Sequence, residues 1–433
     1  MCAVLLAIVP AARAAVTFRG PADAHPWPAG TDPVPVHIEN GQVLVDATLR
    51  SPSGRSVSGR LLLDTGAPGL VVRATAWNRL GLDTLVMGGG FYQIVRRPLT
   101  SVDVGSAQLT GLAIGGVTED SLLNEGVLGL LGPSLLPDRG LVLDYARSVW
   151  AIVPPRLTVV SRDTSARGDL TRESRMRRSR AAYAPVLASE AVAVPFRLFD
   201  GGRILVDARA CELDGGWCGA PLTLLLDTGS SACVLFEDVI AERVAHASAW
   251  PRLRDVPIHT MLGTSRIQAT VVPSLRLTSA MPALSLPRVD AGVAPRRALP
   301  ELEGTLPERV HGLLGGTFLE RFRIVLDYGN QVLWLEPRPT ESAHAFTRSH
   351  IGLRLEPRWG AIRVAAVLPG SPAAEAGIVE GDVVVSIDGL PLDDEDAETG
   401  ESLLEGAANS EIVLVTRHDS LERVHRLRRT SRP

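Results

Sequence analysis

Two carboxylates stand in the same local setting. Asp64-Thr65-Gly66 follows Leu61, Leu62 and Leu63, and Asp227-Thr228-Gly229 follows Leu224, Leu225 and Leu226. A leucine run reads as a buried strand, and a lone carboxylate at its end is costly to desolvate. Such a group needs a partner, a solvated cleft or a proton. Two of them supply a chemistry, because carboxyls at contact distance cannot both ionise and must share one proton. One then takes a proton from a bound water while the other gives one to a carbonyl oxygen. That is hydrolysis by general acid–base catalysis, with no covalent intermediate. Gly66 and Gly229 permit tight turns that present each Asp, and Thr65 and Thr228 can hydrogen-bond across to brace the pair. One such triplet is equally well read as an Asp capping its own turn; two at matched places favour the catalytic reading.

The matched places come from a duplication. "VPVHIENGQVLVDA" at 34–47 returns as "VPFRLFDGGRILVDA" at 194–208, and "LLLDTGAPGLVV" at 61–72 returns as "LLLDTGSSACVL" at 224–235. "EGVLGLLGPSLLPDRGLVLDYARSVWAIVPP" at 125–155 returns as "VHGLLGGTFLERFRIVLDYGNQVLWLEP" at 310–337, in the same order. Each copy reads as strand and turn: a hairpin about Asn40-Gly41, the leucine strand, then a hairpin through Asp144-Tyr145 or Asp327-Tyr328. The two Asp-Tyr pairs sit mid-hairpin and read as structural. If the halves pack about a pseudo-twofold axis, the Asp-Thr-Gly turns meet on it. The fold class expected is mostly β, with lobes at 15–155 and 191–338.

These residues resemble the aspartic proteases, pepsin-like in carrying both halves in one chain and retropepsin-like in the brevity of each half. The match rests on Asp-Thr-Gly-Ala at 64–67, Asp-Thr-Gly-Ser at 227–230, and a later apolar-apolar-Gly motif in each half. That motif is assigned to Val127-Leu128-Gly129 and Leu313-Leu314-Gly315. The resemblance implies Asp64 and Asp227 as the dyad, with Thr65, Gly66, Thr228, Gly229 and Ser230 in support, and polypeptides as substrates. It also implies a flap, assigned to "VMGGGFYQIV" at 86–95 with Gly89, Gly90 and Tyr92, and to "TMLGTSRI" at 260–267 with Leu262 and Gly263. A plain surface turn is an equal reading of either stretch. Ser230 stands where the first turn has Ala67, and a hydroxyl donating to Asp227 would favour its charged form. Asp227 is therefore expected to be the more acidic member and Asp64 the holder of the shared proton.

Composition excludes other chemistries. All 44 basic residues are Arg, so Schiff-base lysines, Ser-Lys dyads and phosphate-loop lysines are out. A net charge of -4 and 4% aromatics give no case for nucleic acid. The nine His and four Cys show no metal-ligand spacing, and the chemistry read above needs no metal or organic cofactor. "MCAVLLAIVPAARA" at 1–14 reads as a signal peptide, implying a periplasmic or extracellular enzyme; it is too short to span a bilayer, and no later apolar run is long enough. Cys211 and Cys218 flank "ELDGGW" and can close a small loop in an oxidising compartment; ordinary free thiols are the alternative.

Residues 156–190 read as an Arg-rich linker, with eight Arg against three acids from Arg156 to Arg180. A third unit is expected at 350–430. Its "SPAAEAG" is a short helix capped by Ser371 and ended by Gly377, and "DVVVSIDG" is a strand closing in a turn. These residues, with Gly352-Leu353-Arg354-Leu355, Gly381-Asp382 and Ile387-Asp388-Gly389, resemble a bacterial PDZ domain. The resemblance implies a groove helix at "ETGESLLEGA" and a peptide C-terminus held by the backbone of Gly352, Leu353, Arg354 and Leu355. The reading is an aspartic endopeptidase whose PDZ unit recognises peptides. Its rivals are a protease-like binding scaffold without turnover, and a narrow enzyme that cuts one partner or its own linker.

Overall fold

The computed structural model describes residues 15–18, 33–39, 41–67, 69–82, 97–105, 107–117, 126–132, 140–153, 171–199, 202–213, 215–244, 247, 250, 252–260, 263–295, 310–337, 349–357, 360–392, 400, 403–404 and 409–431. Of these, the side chains of 15–18, 39, 117, 252–260, 263–266, 349–350, 357 and 431 are not described. The signal-peptide stretch 1–14, the flap stretch 86–95 and Leu262 lie outside the described residues.

The chain is mostly β. In the first half, strand Gln42–Arg50 runs antiparallel to Ser56–Leu63. Ser56–Leu63 lies parallel to Val127–Leu131, which is antiparallel to Leu70–Arg73. The second half repeats these pairings with Arg203–Cys211, Leu222–Leu226, Gly312–Leu314 and Cys233–Phe236. A strand flanked on both edges and covered on both faces must be apolar throughout, which is why each Asp-Thr-Gly is preceded by an unbroken leucine run. Leu61, Leu63, Leu224, Leu225 and Leu226 are all buried in one core shared by both halves.

Register corrects one motif assignment. Gly129 lies opposite Leu61 and Val72, as Gly312 lies opposite Leu224 and Leu235. The equivalent segments are therefore Gly129-Leu130-Leu131-Gly132 and Gly312-Leu313-Leu314-Gly315, so Val127-Leu128-Gly129 is three residues early as the partner of Leu313-Leu314-Gly315. Close approach demands the glycines. A Cβ on Gly129 would overlap the Val71 carbonyl, and one on Gly312 the Val234 carbonyl.

Six strands join the halves in one sheet, in the order 192–195, 332–337, 322–327, 140–144, 149–153, 34–35. The hairpins 140–153 and 322–337 meet edge to edge, antiparallel, with Val142 opposite Val325. Those valines are equivalent in the two repeats, so the pseudo-twofold axis passes between them. Asp144 accepts from Ala146 and Arg147 backbone N–H groups, and Asp327 from the Asn330 backbone and side chain. Both Asp-Tyr pairs thus close their own turns.

The linker expectation needs correction over its second part. Residues 156–170 lie outside the described residues, but Arg172–Tyr183 is an α-helix, N-capped by Thr171. It packs on the inter-lobe sheet. Tyr183 is fully buried among Val142, Val153, Val325 and Trp334, the Trp334 indole donates to Ser179 Oγ at 2.8 Å, and the Arg180 guanidinium lies 4.9 Å from the Trp334 ring centre. Met176, Ala182 and Tyr183 are the helix side chains on this apolar cluster and most of the rest are polar, so tertiary contact rather than amphipathic patterning holds it.

The C-terminal unit has its own core, including Ile351, Leu355, Ile362, Ile387, Ile412 and Leu414. Strands run in the order 353–357, 362–367, 383–387, 411–418, 421–428, so Leu353–Pro357 forms an edge. Helix Pro372–Glu375 is capped by Ser371, and Gly377 adopts a φ of 73°. Of the groove-helix stretch only Gly400, Leu403 and Leu404 are described, all helical.

Candidate active site

The two Asp-Thr-Gly turns interlock across the axis. The Thr65 hydroxyl donates to Leu226 O at 2.8 Å and accepts from Thr228 N at 3.0 Å. Reciprocally, the Thr228 hydroxyl donates to Leu63 O at 2.7 Å and accepts from Thr65 N at 3.1 Å. Both threonines are buried, so each hydroxyl is consumed inside the brace. Each Asp is tied to its own lobe by its backbone, Asp64 N donating to Leu131 O and Asp227 N to Leu314 O. The leucine strand, the Gly-Leu-Leu-Gly strand and the opposite turn thus fix each carboxyl from three sides.

The carboxyls face one another. Asp64 Oδ1 accepts from Gly66 N at 2.8 Å and Ala67 N at 3.0 Å, and Asp227 Oδ1 from Gly229 N at 2.9 Å and Ser230 N at 3.1 Å. The two side chains lie close enough to interact as one titrating pair. Each packs on the glycine of the opposite turn. A Cβ on Gly66 would sit 2.9 Å from Asp227 Cγ, and one on Gly229 2.5 Å from Asp64 Cγ. Any side chain there would drive the pair apart, so these glycines are set by contact.

Burial raises both carboxyls above the usual carboxylate range. Asp227 is raised well above it, since the Asp64 charge and the hydrogen bond from Asp64 add to burial. For Asp64 the Asp227 hydrogen bond, its two backbone donors and the Arg203 charge oppose burial. Two buried, interacting carboxyls both pushed upward favour keeping a proton on the pair. The hydroxyl expected to favour a charged Asp227 is engaged elsewhere, that of Ser230 donating to Ala232 O at 2.7 Å. Only the Ser230 backbone N–H reaches Asp227, as that of Ala67 reaches Asp64, so the Ser/Ala difference does not distinguish the two.

Two residues at the site escaped the sequence reading. Gln42 begins the strand beside Asp64, yet its amide crosses the axis to donate to Gly229 O at 2.5 Å. Arg203 holds the equivalent place in the other half, is 3% exposed, and lays its guanidinium 4.7 Å from the Phe199 ring centre. The repeats "NGQVLVDA" and "GGRILVDA" align Gln42 with Arg203, which was the available signal.

The other candidates are placed as follows. The stretch 260–267 joins strands Arg252–Thr260 and Gly263–Leu277 in a hairpin, with Thr260 opposite Gly263. Cys211 and Cys218 are bonded, closing the loop between them. Cys233 is a buried thiol, its pKa pushed up to about 11 by burial. Gly352 has a φ of 82°, where a Cβ would overlap Ser371, and Leu353, Arg354 and Leu355 follow it, buried, along the edge strand.

Residues 363–417 match the family model "PDZ domain". No curated protein matches the chain. Among solved structures, an aspartic proteinase from Irpex lacteus aligns at a TM-score of 0.44 and 14% identity, over 72% of this chain and 100% of that one. A "photosystem II D1 C-terminal processing protease" aligns at a TM-score of 0.20 and 27% identity, over 21% of this chain and 25% of that one. The chain thus spans a quarter of the latter's length.

Proposed function

We propose that this protein is an aspartic-type endopeptidase with a peptide-recognising PDZ unit. The observation that carries the reading is the pair of carboxyls brought together at the pseudo-twofold axis by interlocked Asp-Thr-Gly turns. In this mechanism a water lies between them and a peptide carbonyl. Of Asp64 and Asp227, the ionised one takes a proton from the water as oxygen attacks the carbonyl carbon, while the protonated one gives its proton to the carbonyl oxygen. The resulting diol collapses with proton transfer to the amide nitrogen, the C–N bond breaks, and the dyad is left with one proton. No covalent intermediate forms. The 211–218 disulfide supports an exported protein working in an oxidising compartment.

Incubation with a denatured protein at mild acid, with and without a statyl-type inhibitor, tests the reading. Inhibitor-sensitive cleavage that falls by about 10³-fold in Asp64→Asn and Asp227→Asn is expected. Absent cleavage, or cleavage indifferent to inhibitor and to both substitutions, would overturn it and favour the scaffold.

A further inference from the structure

We propose that Gln42 is a positioning residue of the dyad: reaching from the first lobe, its side-chain amide fixes the peptide group 229–230, whose N–H holds the Asp227 carboxyl. The inference rests on the dyad reading and adds a residue that sets the pair's geometry from across the axis.

Gln42 begins the strand beside the first leucine run. Counting from Leu44 opposite Leu62, its backbone is level with Asp64. Its side chain nevertheless leaves that lobe and donates to Gly229 O at 2.5 Å, across 187 positions of sequence. The hairpin tip that precedes it makes the approach possible. Gly41 adopts a φ of 74°, and a Cβ there would stand 3.3 Å from Ser231 O and 3.7 Å from Gly316 Cα. A Cβ on Gly316 would in turn meet Gly41 O at 3.0 Å. The first-lobe tip therefore lies directly on second-lobe backbone, which is where glycine is needed.

Gly229 O and Ser230 N–H belong to one peptide group. In a trans peptide these two bonds point in opposite directions, and the only cis bond among the described residues is Met281–Pro282. Gln42 grips the carbonyl end. At the other end Ser230 N–H donates to Asp227 Oδ1 at 3.1 Å. The plane is thus held between a first-lobe amide and a second-lobe carboxyl. A donor on the carbonyl also polarises the group and strengthens its N–H as a donor. Gly229 meets both carboxyls besides: its own N–H donates to Asp227 Oδ1 at 2.9 Å, and a Cβ on it would sit 2.5 Å from Asp64 Cγ. Tilting this one peptide group would loosen Asp227 and change its spacing from Asp64. The threonine brace acts at Thr65, Thr228, Leu63 and Leu226, before this peptide, and leaves its orientation to Gln42.

Gln42→Met keeps the length of the side chain and removes the donor. Its kcat is expected to fall about 10-fold with KM within about twofold of the parent, the split of a residue that orients reacting groups without touching substrate. Gln42→Glu regains a donor only when protonated, so its deficit should shrink as pH falls through the ordinary carboxylate range while that of Gln42→Met persists. The Ser230 amide proton, followed by NMR in the folded proteins, should move upfield and exchange faster in Gln42→Met. A parent-like kcat in Gln42→Met, a Gln42→Glu deficit that acid does not relieve, or an unmoved Ser230 amide overturns the proposal. If the parent hydrolyses nothing, the endopeptidase reading fails by itself and the Ser230 amide still judges Gln42.

Discussion

At the level of single residues, chemistry was legible where it lay in contiguous sequence and illegible where it crossed the axis. Asp64 and Asp227 announce themselves because an acid ending a leucine run has no ordinary explanation twice. The local alternatives of the Ser230 hydroxyl cannot be ranked from sequence; Ala232 O, nearer along the chain than Asp227, accepts its hydrogen bond. Gln42 reaches Gly229 O across a separation that no local pattern encodes. The raised Asp227 carboxyl carries a stability consequence. The folded state binds this proton more tightly than the unfolded chain, so its contribution is whole below the ordinary carboxylate range and is lost as pH rises through the folded value. Asp227→Asn removes the loss. Its urea midpoint should equal the parent's near about pH 3 and exceed it at neutral pH, alongside lost turnover. A parent whose stability rises relative to the variant across that window would contradict a protonated Asp227.

At the level of elements, the hairpins and the leucine strands followed from alternation and turn dipeptides, but register did not. Val127-Leu128-Gly129 and Leu130-Leu131-Gly132 both satisfy an apolar-apolar-Gly pattern, and only pairing against Leu61 and Val72 separates them. The helix Arg172–Tyr183 was hidden for a different reason. Five arginines and no apolar stripe describe a solvated segment, and a helix of that length is marginal alone. Tyr183 wedged against the sheet, with Trp334 bound to Ser179, supplies what the sequence lacks. Tyr183→Ala should therefore cost about 3–5 kcal/mol in urea unfolding and expose the helix arginines to rapid trypsin cleavage. Ser179→Ala, which removes one indole acceptor, should cost about 1 kcal/mol. Equal stability of Tyr183→Ala and parent would mean the helix is not held by this contact.

In the whole molecule, duplication explains both how the site is built and why one more unit is attached. Two lobes joined through an edge-to-edge sheet place their turns face to face. The C-terminal unit offers selection by another route. Leu353–Pro357 is a sheet edge, and an extended peptide can add there as a further strand, its terminal carboxylate against the backbone at Gly352. Recognition of that kind reads a chain end, not the bond to be cut, so it should lower KM for substrates bearing the terminus and leave kcat alone. In the full chain carrying Asp227→Asn, a fluorescent peptide with a free carboxylate should bind about 10-fold or more tightly than its C-terminal amide. Gly352→Val, which forces a Cβ onto Ser371 at a φ of 82°, should abolish the difference without altering the dyad. Equal binding of acid and amide would remove the carboxylate from recognition and leave the edge strand without a role in peptide capture.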